Sequence, residues 1–345
     1  MRRIGLLLDD ISLEHAEPHG HPERAERLRA IAREVDAGGF WDRALRVRSR
    51  PATRAELAAA HASPLLDRLE KELPGNEGHV DGDTYFAKRS WEAALHAAGG
   101  AVTLVERALR GDIDAGAALV RPPGHHATGN RPMGFCLLNN VAVAAQAARA
   151  LGARRVAVMD WDLHHGNGTQ DIFWQDPGVL YLSTHQYPFY PGTGAVDEVG
   201  EGPGRGYTVN VPLPAGAGDA EYEHVFARAI APALRAYGPD LLLISAGFDA
   251  HVRDPLGQMR LSTGAFFRLT HRLRAAVGAA PVVAVLEGGY DLEGLASSTR
   301  AMLEALEGPV RPPDEAADPH PAAPRVLAAL RAALVGTALA GALEP

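Results

Sequence analysis

The run from Asp160 to Gly168 (Asp-Trp-Asp-Leu-His-His-Gly-Asn-Gly) places two carboxylates and two imidazoles within six positions. It follows the apolar segment 155–159, which is typical of a strand. In extended backbone Asp162 and His164 are two residues apart and therefore point to the same side. A carboxylate oxygen and an imidazole nitrogen on one side are suitable zinc ligands that leave room for water and substrate. A stable fold does not require such a cluster of ionisable side chains, so the run predicts a site that carries out a chemical reaction.

Three further polar runs follow apolar segments in the same way. They are Arg-Pro-Pro-Gly-His-His at 121–126 after 117–120, Ser-Ala-Gly-Phe-Asp at 245–249 after 241–244, and Glu-Gly-Gly-Tyr at 287–290 after 282–286. The Pro-Pro-Gly before His125 and His126 constrains a turn and so can aim both side chains. Ligands of open parallel sheets bind beyond the carboxyl ends of the strands. We therefore expect the four runs to converge on one site.

Strand and helix patterns alternate along the chain. Strand-like runs lie near residues 4–8, 117–120, 155–159, 179–183, 207–211, 241–245 and 282–286, and helical patterns span Ser90–Arg110, Asn140–Leu151, Asp219–Tyr237, Thr263–Val277 and Leu292–Leu306. Several strands lack polar alternation, as in strands buried on both faces. This order predicts an α/β fold with a mostly parallel sheet and helices on both faces.

Composition limits the classes of function. The chain has 345 residues with 46% hydrophobic content, which is enough for a sizeable core in a single large α/β domain. The formal net charge of -8 argues against a general nucleic-acid-binding protein. Cys136 is the only cysteine, which excludes an internal disulfide and fits a cytoplasmic location.

Both ends of the sequence contain apolar runs. The apolar run at residues 4–8 is too short for a signal peptide and ends at Asp9, so we interpret it as a first strand. Residues 308–324 are rich in Pro, Ala and acid and predict a loose segment, followed by a helix over 325–343 that is too short and too Ala-rich to span a membrane. We expect one domain over residues 1–308, and over 309–345 a Pro/Ala-rich segment with a C-terminal helix packed on that domain.

Several short motifs in order carry a resemblance to a known family. They are His21-Pro22-Glu23-Arg24, Pro122-Pro123-Gly124-His125-His126, Gly134-Phe135-Cys136, Asn139-Asn140, the run 160–170, Phe189-Tyr190-Pro191-Gly192-Thr193-Gly194, Asn210-Val211-Pro212, Gly247-Phe248-Asp249, Asp254-Pro255-Leu256 and Gly288-Gly289-Tyr290. Together they resemble the histone deacetylase superfamily over roughly residues 4–306. The residue types at Trp161 and Asn167 resemble those of its class II branch. Bacterial histone deacetylase-like amidohydrolases and acetylpolyamine amidohydrolases belong to this superfamily. The resemblance implies the single-domain, three-layer arginase-deacetylase fold.

The resemblance implies a metal site with one zinc ion per chain. Asp162, His164 and Asp249 match the zinc ligands of the family. Two carboxylates and one imidazole balance the charge of the metal and leave coordination positions open. The alternative is that these side chains only cap turns, which requires three strand ends to meet by accident.

The resemblance also implies the catalytic groups. His126 matches the general base that later acts as acid, and His125 matches its partner histidine, held by the buried carboxylate of Asp160. Asn167 stands where other branches of the family carry an Asp behind the second histidine. The amide of Asn167 would orient His126 without supplying a charge, so His126 should be less basic than with an Asp at that position. Tyr290 matches the tyrosine that donates a hydrogen bond to the substrate carbonyl. The alternative reading of each is a structural histidine or a core tyrosine.

The acyl-lysine channel of the family has counterparts here. The matching residues are Gly134, Phe135, Tyr190 and Leu256, with Asp81 or Asp83 as the aspartate at the rim. Two aromatic faces would enclose a thin aliphatic chain, while Gly134 would keep the floor open. The alternative is that the aromatic residues belong to the core. Loops near residues 10–25, 74–90 and 185–206 are predicted to shape the rim.

Potassium sites are implied by resemblance alone. Asp160, Asp162, His164 and Ser183 align with one monovalent-cation site of the family, partly through backbone carbonyls. The second site is placed near Phe173, Val179 and Tyr207.

Zinc-dependent hydrolysis of N-acetyl-lysine or a related N-acyl amine is the function we expect, and acetylpolyamine deacetylation is the alternative. Polyamine-selective relatives can carry a Glu where this chain has Leu256, and that favours lysine-type substrates without excluding the alternative. Gly166 stands where a two-manganese arginase-like site would need a carboxylate, and the complete set of catalytic residues argues against a non-catalytic binding protein. No nucleic acid or membrane partner is expected. The sequence leaves open the physiological substrate, the acyl-chain preference, the pathway and the oligomeric state, including a homo-oligomer.

Overall fold

An eight-stranded parallel sheet forms the centre of the computed structural model, which describes residues 3–309 and 321–343. The strands of the chain are β1 (Ile4–Leu7), β2 (Leu45–Arg46), β3 (Gly78–His79), β4 (Tyr85–Phe86), β5 (Ala115–Ala118), β6 (Val156–Asp160), β7 (Val179–Gln186), β8 (Thr208–Leu213), β9 (Leu241–Ala246) and β10 (Val282–Leu286). The order in the sheet is β2-β1-β5-β10-β9-β6-β7-β8, and each neighbouring pair is parallel. Strands β3 and β4 form a separate antiparallel pair.

Helices cover both faces of this sheet. They are α1 (Glu26–Ala37), α2 (Phe40–Arg43), α3 (Arg54–Ala58), α4 (Ser63–Glu72), α5 (Ser90–Leu109), α6 (Asn140–Ala150), α7 (Asn167–Phe173), α8 (Asp219–Val225), α9 (Ala231–Tyr237), α10 (Thr263–Val277), α11 (Leu292–Glu307) and α12 (Ala322–Ala333). Short 3-10 turns lie at Asp10–Glu14 and Gly202–Gly204.

Successive residues of the central strands enter two different hydrophobic clusters. In β9, Leu242 and Ile244 pack with α1, α2 and α8–α12, whereas Leu241 and Leu243 pack with α3–α7. Side chains alternate across a strand, so a strand covered on both faces needs apolar residues at every position. The observed layers confirm the predicted three-layer α/β fold with a mostly parallel sheet.

Every predicted strand and helix is present, with shifted ends in some cases. The strand predicted at 117–120 is β5 at Ala115–Ala118, and the strand predicted at 179–183 extends to Gln186. The helix predicted over Asp219–Tyr237 is continuous but contains a π-helical turn at Phe226–Ile230. This turn lies directly before Pro232, whose missing N–H cannot continue the regular hydrogen-bond ladder. The two-residue strands are too short to leave a periodic signal in the sequence.

The C-terminal helix differs in length from the prediction. It begins at Ala322 and ends at Ala333, and Gly336 after it has a φ of 79°. Leu327 and Leu330 are buried in the same cluster as residues of β8. Residues 310–320 of the predicted loose segment lie outside the described residues, and the division of the chain at residue 308 stays a prediction. Among the described residues, no helix combines the length and apolar character needed to cross a membrane.

His61 holds the segment that leads into α6. Its ring is buried, with Nδ1 at 3.0 Å from the Thr128 carbonyl oxygen and Nε2 at 2.9 Å from the Asn139 nitrogen. Because a carbonyl accepts and an amide N–H donates, Nδ1 carries the hydrogen and the ring is neutral. Asn139 in turn caps α6 by accepting the Ala142 N–H. Burial lowers the pKa of His61 to about 4.

This pKa predicts acid sensitivity of the fold. Below about pH 6.5 the unfolded chain protonates this histidine, whereas the folded chain does so only near pH 4, so the free energy of unfolding falls as the pH falls. At about pH 5 the decrease in the free energy of unfolding that is due to His61 should be about 2 kcal/mol. Urea unfolding of the wild type and His61→Gln at about pH 7.5 and about pH 5 measures it. The pH dependence should be smaller in His61→Gln and unchanged in His19→Gln, an exposed control. An equal pH dependence in His61→Gln and the wild type would contradict the assignment.

Candidate active site

The four polar runs lie at the carboxyl ends of four adjacent strands. Strands β5, β10, β9 and β6 are consecutive in the sheet. Strand β5 leads into His125 and His126, and β10 leads into Tyr290. Strand β9 leads into Asp249, and β6 leads into Asp162 and His164. Parallel strands end on the same side of a sheet, and this order brings residues far apart in sequence into one pocket.

Asp162, His164 and Asp249 form a cluster of possible metal ligands. One ligand atom from each lies within 4.8 Å of the others. His164 Nδ1 is 3.2 Å from Asp162 Oδ1 and 3.0 Å from Asp249 Oδ2. Tetrahedral zinc with bonds of about 2.0–2.1 Å separates its donor atoms by about 3.3 Å. The two separations from His164 are within a few tenths of an ångström of that value and the Asp162 and Asp249 oxygens lie within 4.8 Å of each other, so the donor set can hold one metal ion.

Backbone amides hold the two carboxylates of this cluster. The Gly288 N–H donates to Asp162 Oδ2 at 2.8 Å, and the Leu163 N–H donates to Asp249 Oδ1 at 2.8 Å. A Cβ atom on residue 288 would lie 2.4 Å from Asp249 Oδ2 and 2.6 Å from Asp162 Oδ2. Only glycine allows this close approach of the backbone to both carboxylates.

The electrostatics of the cluster favour a cation. Burial alone would lower the pKa of His164, but its hydrogen bonds to Asp162 and Asp249 raise it to about 10. Burial and the neighbouring Asp162 raise the pKa of Asp249 to about 7. A proton on the imidazole therefore takes the place that a metal ion would fill, and metal binding would release it.

His125 is paired with a buried carboxylate. Its Nδ1 is 3.1 Å from Asp160 Oδ2, which also accepts a hydrogen bond of 3.3 Å from the Tyr181 hydroxyl. Burial alone would lower the pKa of His125, but the negative charges of Asp162 and Asp160 raise it to about 10. These two carboxylates therefore favour the protonated form of His125.

His126 has the opposite character. Its Nδ1 is 2.8 Å from the Asn167 side-chain oxygen, an acceptor, so Nδ1 carries the hydrogen and Nε2 is free to accept a proton. Burial lowers the pKa of His126 well below its usual value, and His125 and His164 lower it further. Two adjacent histidines with pKa values shifted apart can act as a base and a fixed positive charge.

Tyr290 lies across the same pocket. Its backbone N–H donates to Asp254 Oδ2 at 2.6 Å, and the Arg27 guanidinium carbon lies 5.1 Å from its ring centre. Burial raises the pKa of Tyr290 well above its usual value, so the phenol stays a hydrogen-bond donor.

The pocket has apolar and aromatic walls around the catalytic groups. Its lining residues are Asp83, Pro123, His125, His126, Gly134, Phe135, His164, Tyr190, Leu256, Gly288 and Tyr290. The rings of Phe135 and Tyr290 meet edge to face at 5.9 Å, as do those of Tyr190 and His126 at 5.2 Å. All four sequence-predicted channel residues, Gly134, Phe135, Tyr190 and Leu256, are therefore in the pocket lining.

The backbone at Gly134 and Phe135 is unusual. Both residues have positive φ, 58° and 70° respectively, and Phe135 is the non-glycine residue with positive φ in the described chain. The Phe135 N–H donates to Thr84 Oγ1 at 3.0 Å. A Cβ on residue 134 would lie 2.5 Å from the His126 ring, so glycine is required for this packing.

The structure separates the two rim candidates. Asp81 accepts hydrogen bonds from the N–H groups of Asp83 and Thr84 and so shapes the turn. Asp83 lines the pocket. Sequence alone could not decide between them because they are two residues apart in a loop.

The expected potassium ligands are placed on neighbouring strands. Asp160 and Ser183 are paired in the register of β6 and β7, and the Ser183 hydroxyl lies 2.9 Å from His185 Nδ1. Phe173 ends α7, Val179 begins β7, and Tyr207 directly precedes β8. Both cation sites stay predictions.

Two residues with structural roles at the site were present in the quoted motifs without an assigned role. Asp254 accepts hydrogen bonds from the backbone of Leu256 and Tyr290, and so ties two parts of the pocket lining together. Glu287 accepts hydrogen bonds from the backbone of Gly124 and His125. The sequence signal for Glu287 is a carboxylate directly after an apolar strand, but the N–H groups that donate to it are identified only by the fold.

Comparison with known proteins gives one consistent result. A family model described as the histone deacetylase domain matches residues 21–306. Histone deacetylase 15 of Arabidopsis thaliana is 44% identical over 309 residues, which are 87% of this chain and 56% of that protein. A probable deacetylase of Archaeoglobus fulgidus is 38% identical over 313 residues, covering 88% of this chain and 86% of that protein.

A solved structure is similar over nearly the full length. The crystal structure titled HDA15 HD domain superimposes with a TM-score of 0.90 at 40% identity and covers 96% of both chains. The chain spans only a little over half of the Arabidopsis protein. The expected similarity to bacterial amidohydrolases stays a prediction, since these relatives come from a plant and an archaeon.

The donor cluster predicts stoichiometric metal binding. Asp162→Ala removes a ligand, and because even indirect changes around a metal site cost about 10–100-fold in affinity, it should weaken zinc binding by more than about 100-fold. Elemental analysis and competition with a chelator measure this. Asp83→Asn removes a carboxylate of the same pocket outside the cluster and should keep wild-type zinc content. Wild-type zinc affinity in Asp162→Ala would rule out the assigned cluster.

Proposed function

The chain belongs to the histone deacetylase family, and we propose that it is a zinc-dependent amidohydrolase that removes acetyl or related acyl groups from N-acetyl-lysine or similar N-acyl amines. The main support is the convergence of three metal ligands, a neutral histidine and a protonated phenol on one pocket. Each group has the chemistry that amide hydrolysis by water requires.

Asp162, His164 and Asp249 would hold one zinc ion, as their donor spacing allows. Bound zinc lowers the pKa of a water ligand to about 7 and polarises a carbonyl group. The three protein ligands leave coordination positions for water and substrate.

His126 is assigned as the general base. Its Nε2 has a free lone pair because Nδ1–H donates to Asn167, so it can take a proton from the attacking water and later deliver it to the leaving amine. Asn167 fixes the ring without adding negative charge. His125, whose pKa is raised by Asp162 and by its partner Asp160, would supply a positive charge next to His126 and help keep His126 neutral.

Tyr290 is assigned as the hydrogen-bond donor to the substrate carbonyl. Its raised pKa keeps the hydroxyl protonated, and a donor aimed at an oxygen that gains charge stabilises the transition state more than the ground state. The hydrogen bond to Asp254 fixes the backbone that carries it.

The pocket walls support a lysine-type substrate. Phe135, Tyr190 and Leu256 would enclose an aliphatic chain, and Leu256 offers no counter-charge to an internal ammonium. Asp83 at the pocket favours a second candidate, an acetylated polyamine, because its carboxylate could pair with a distant amine. Potassium binding through Asp160 and Ser183, a cytoplasmic location and a homo-oligomer remain predictions.

Hydrolysis assays on the zinc-loaded wild type test the proposal directly. An acetyl-lysine peptide and an acetylated polyamine are compared by kcat/KM, and the peptide should be the better substrate. His126→Ala should lower kcat by about 100–10,000-fold through loss of the base. Tyr290→Phe should lower it by about 100–1,000-fold through loss of the donor. Both variants should retain zinc and fold.

Three outcomes would change this conclusion. Zinc-loaded wild type with no hydrolysis of either substrate would favour a binding role. Higher kcat/KM on the polyamine would favour the second candidate. Wild-type rates in both variants would overturn the assigned roles of His126 and Tyr290.

Gly134→Ala tests the packing against the proposed base. The added methyl group would overlap the His126 ring and force a strained φ at residue 134, so the ring should be displaced. We expect kcat to fall by about 100-fold, since a displacement of about 1 Å can cost that much. Gly129→Ala is the matched control, because a Cβ there meets only Ala60 O at 3.5 Å. A Gly134→Ala enzyme with full activity would show that the ring position is not critical.

A further inference from the structure

Glu287 is a fully buried carboxylate outside the metal cluster and outside the pocket lining. It directly follows β10 and precedes Tyr290 by three residues. Its Oε2 accepts the N–H of Gly124 at 2.6 Å and the N–H of His125 at 3.1 Å. Its Oε1 accepts a longer hydrogen bond of 3.3 Å from the Ser245 hydroxyl.

We propose that Glu287 is a positioning residue, which fixes the turn carrying His125 and His126 relative to the loop carrying Tyr290. This inference rests on the proposed function, because it concerns how the proposed base and the proposed hydrogen-bond donor are kept in register.

The histidine turn packs closely against a neighbouring segment. A Cβ on Gly124 would lie 2.5 Å from Asn140 N and 2.9 Å from Leu138 O, so the turn is pressed against that segment. The turn lies beyond the end of β5, so the N–H groups of Gly124 and His125 have no strand partners. Buried N–H groups need an acceptor, and the Glu287 carboxylate supplies one oxygen to both.

The backbone of Glu287 is fixed in turn. Its N–H donates to Ala246 O at 3.1 Å, at the end of β9. Its carbonyl oxygen accepts a hydrogen bond from Arg27, whose Nε also donates to Gly289 O at 2.6 Å. The backbone of Glu287 is therefore held by β9 and by Arg27, while its side chain binds the turn that follows β5. In this way Glu287 connects the ends of β5, β9 and β10.

The expected effect is on catalysis rather than on substrate binding. Loss of the acceptor leaves two buried N–H groups unpaired, so the turn should shift or open and move His126 relative to Tyr290. A shift of about 1 Å can lower the rate by about 100-fold. The channel walls at Phe135 and Tyr190 make no hydrogen bond with Glu287, so KM should change little.

The test compares three substitutions at one position in the zinc-loaded enzyme. Glu287→Gln keeps an oxygen that can accept both N–H groups, while its amide can donate to Ser245, so activity should stay within about threefold of wild type. Glu287→Asp keeps the charge but withdraws the acceptor by about 1.5 Å, and Glu287→Ala removes it. Both should lower kcat, by about 10-fold and about 100-fold, with KM and zinc content near wild type. Ser245→Ala is the matched control, since it removes only the longer hydrogen bond to the same carboxylate.

Hydrogen exchange of the amides in residues 121–128 gives a readout independent of turnover. Exchange should be faster in the Asp and Ala variants and unchanged in the Gln variant and in Ser245→Ala. If Glu287→Ala fails to fold, the comparison of Glu287→Asp with Glu287→Gln still tests the positioning role.

The outcomes separate this inference from the proposed function. Wild-type kcat and exchange in Glu287→Asp, or an equal loss in Glu287→Gln and Glu287→Asp, would overturn the positioning role. An inactive wild type would refute the proposed function, and the exchange data would still show whether Glu287 fixes the turn.

Discussion

Buried negative charge is the constraint on which this site depends. Asp160, Asp162, Asp249 and Glu287 are all fully buried at one edge of the sheet. Removing a carboxylate from water costs several kcal/mol unless a positive charge or hydrogen-bond donors compensate. In the described structure Asp162 and Asp249 make ion-pair contacts with imidazoles, together with bonds from backbone N–H groups. This arrangement suits a cation, and the close approach of the backbone to the carboxylates requires glycine beside them.

The same charges divide the work between two adjacent histidines. His125 lies against Asp160, and the carboxylates around it raise its pKa, whereas His126 meets the neutral amide of Asn167 and burial lowers its pKa. An Asp at position 167 would add a negative charge that raises the pKa of His126 and makes the ring more basic, so more of it would already be protonated at neutral pH. The amide therefore fixes the orientation of the ring without changing its charge, which suits a base that must start unprotonated.

Strand ends could be predicted from the sequence, but loop geometry could not. Apolar runs without alternation identified β6, β9 and β10, and parallel order then implied that Asp162, Asp249 and Tyr290 would meet. The choice between Asp81 and Asp83 depends on a turn whose hydrogen bonds involve its own backbone, and a two-residue spacing gives no orientation there. The role of Glu287 could not be predicted either, because the two backbone N–H groups that donate to it lie more than 160 residues away in the chain. Motif resemblance identified which residues matter, while their contacts required the fold.

Rigid strand ends and longer loops contribute different parts of the pocket. The proposed metal ligands Asp162, His164 and Asp249 lie within four residues of the ends of β6 and β9, where the sheet fixes the backbone, whereas the two histidines follow β5 on a longer turn. Asp83, Tyr190 and Leu256 come from loops between elements and line the same pocket. Loops tolerate substitution because few buried contacts depend on them. Substitutions in these loops can therefore change the shape of the pocket, whereas substitutions at the strand ends would disturb buried carboxylates that depend on fixed hydrogen-bond donors and imidazoles.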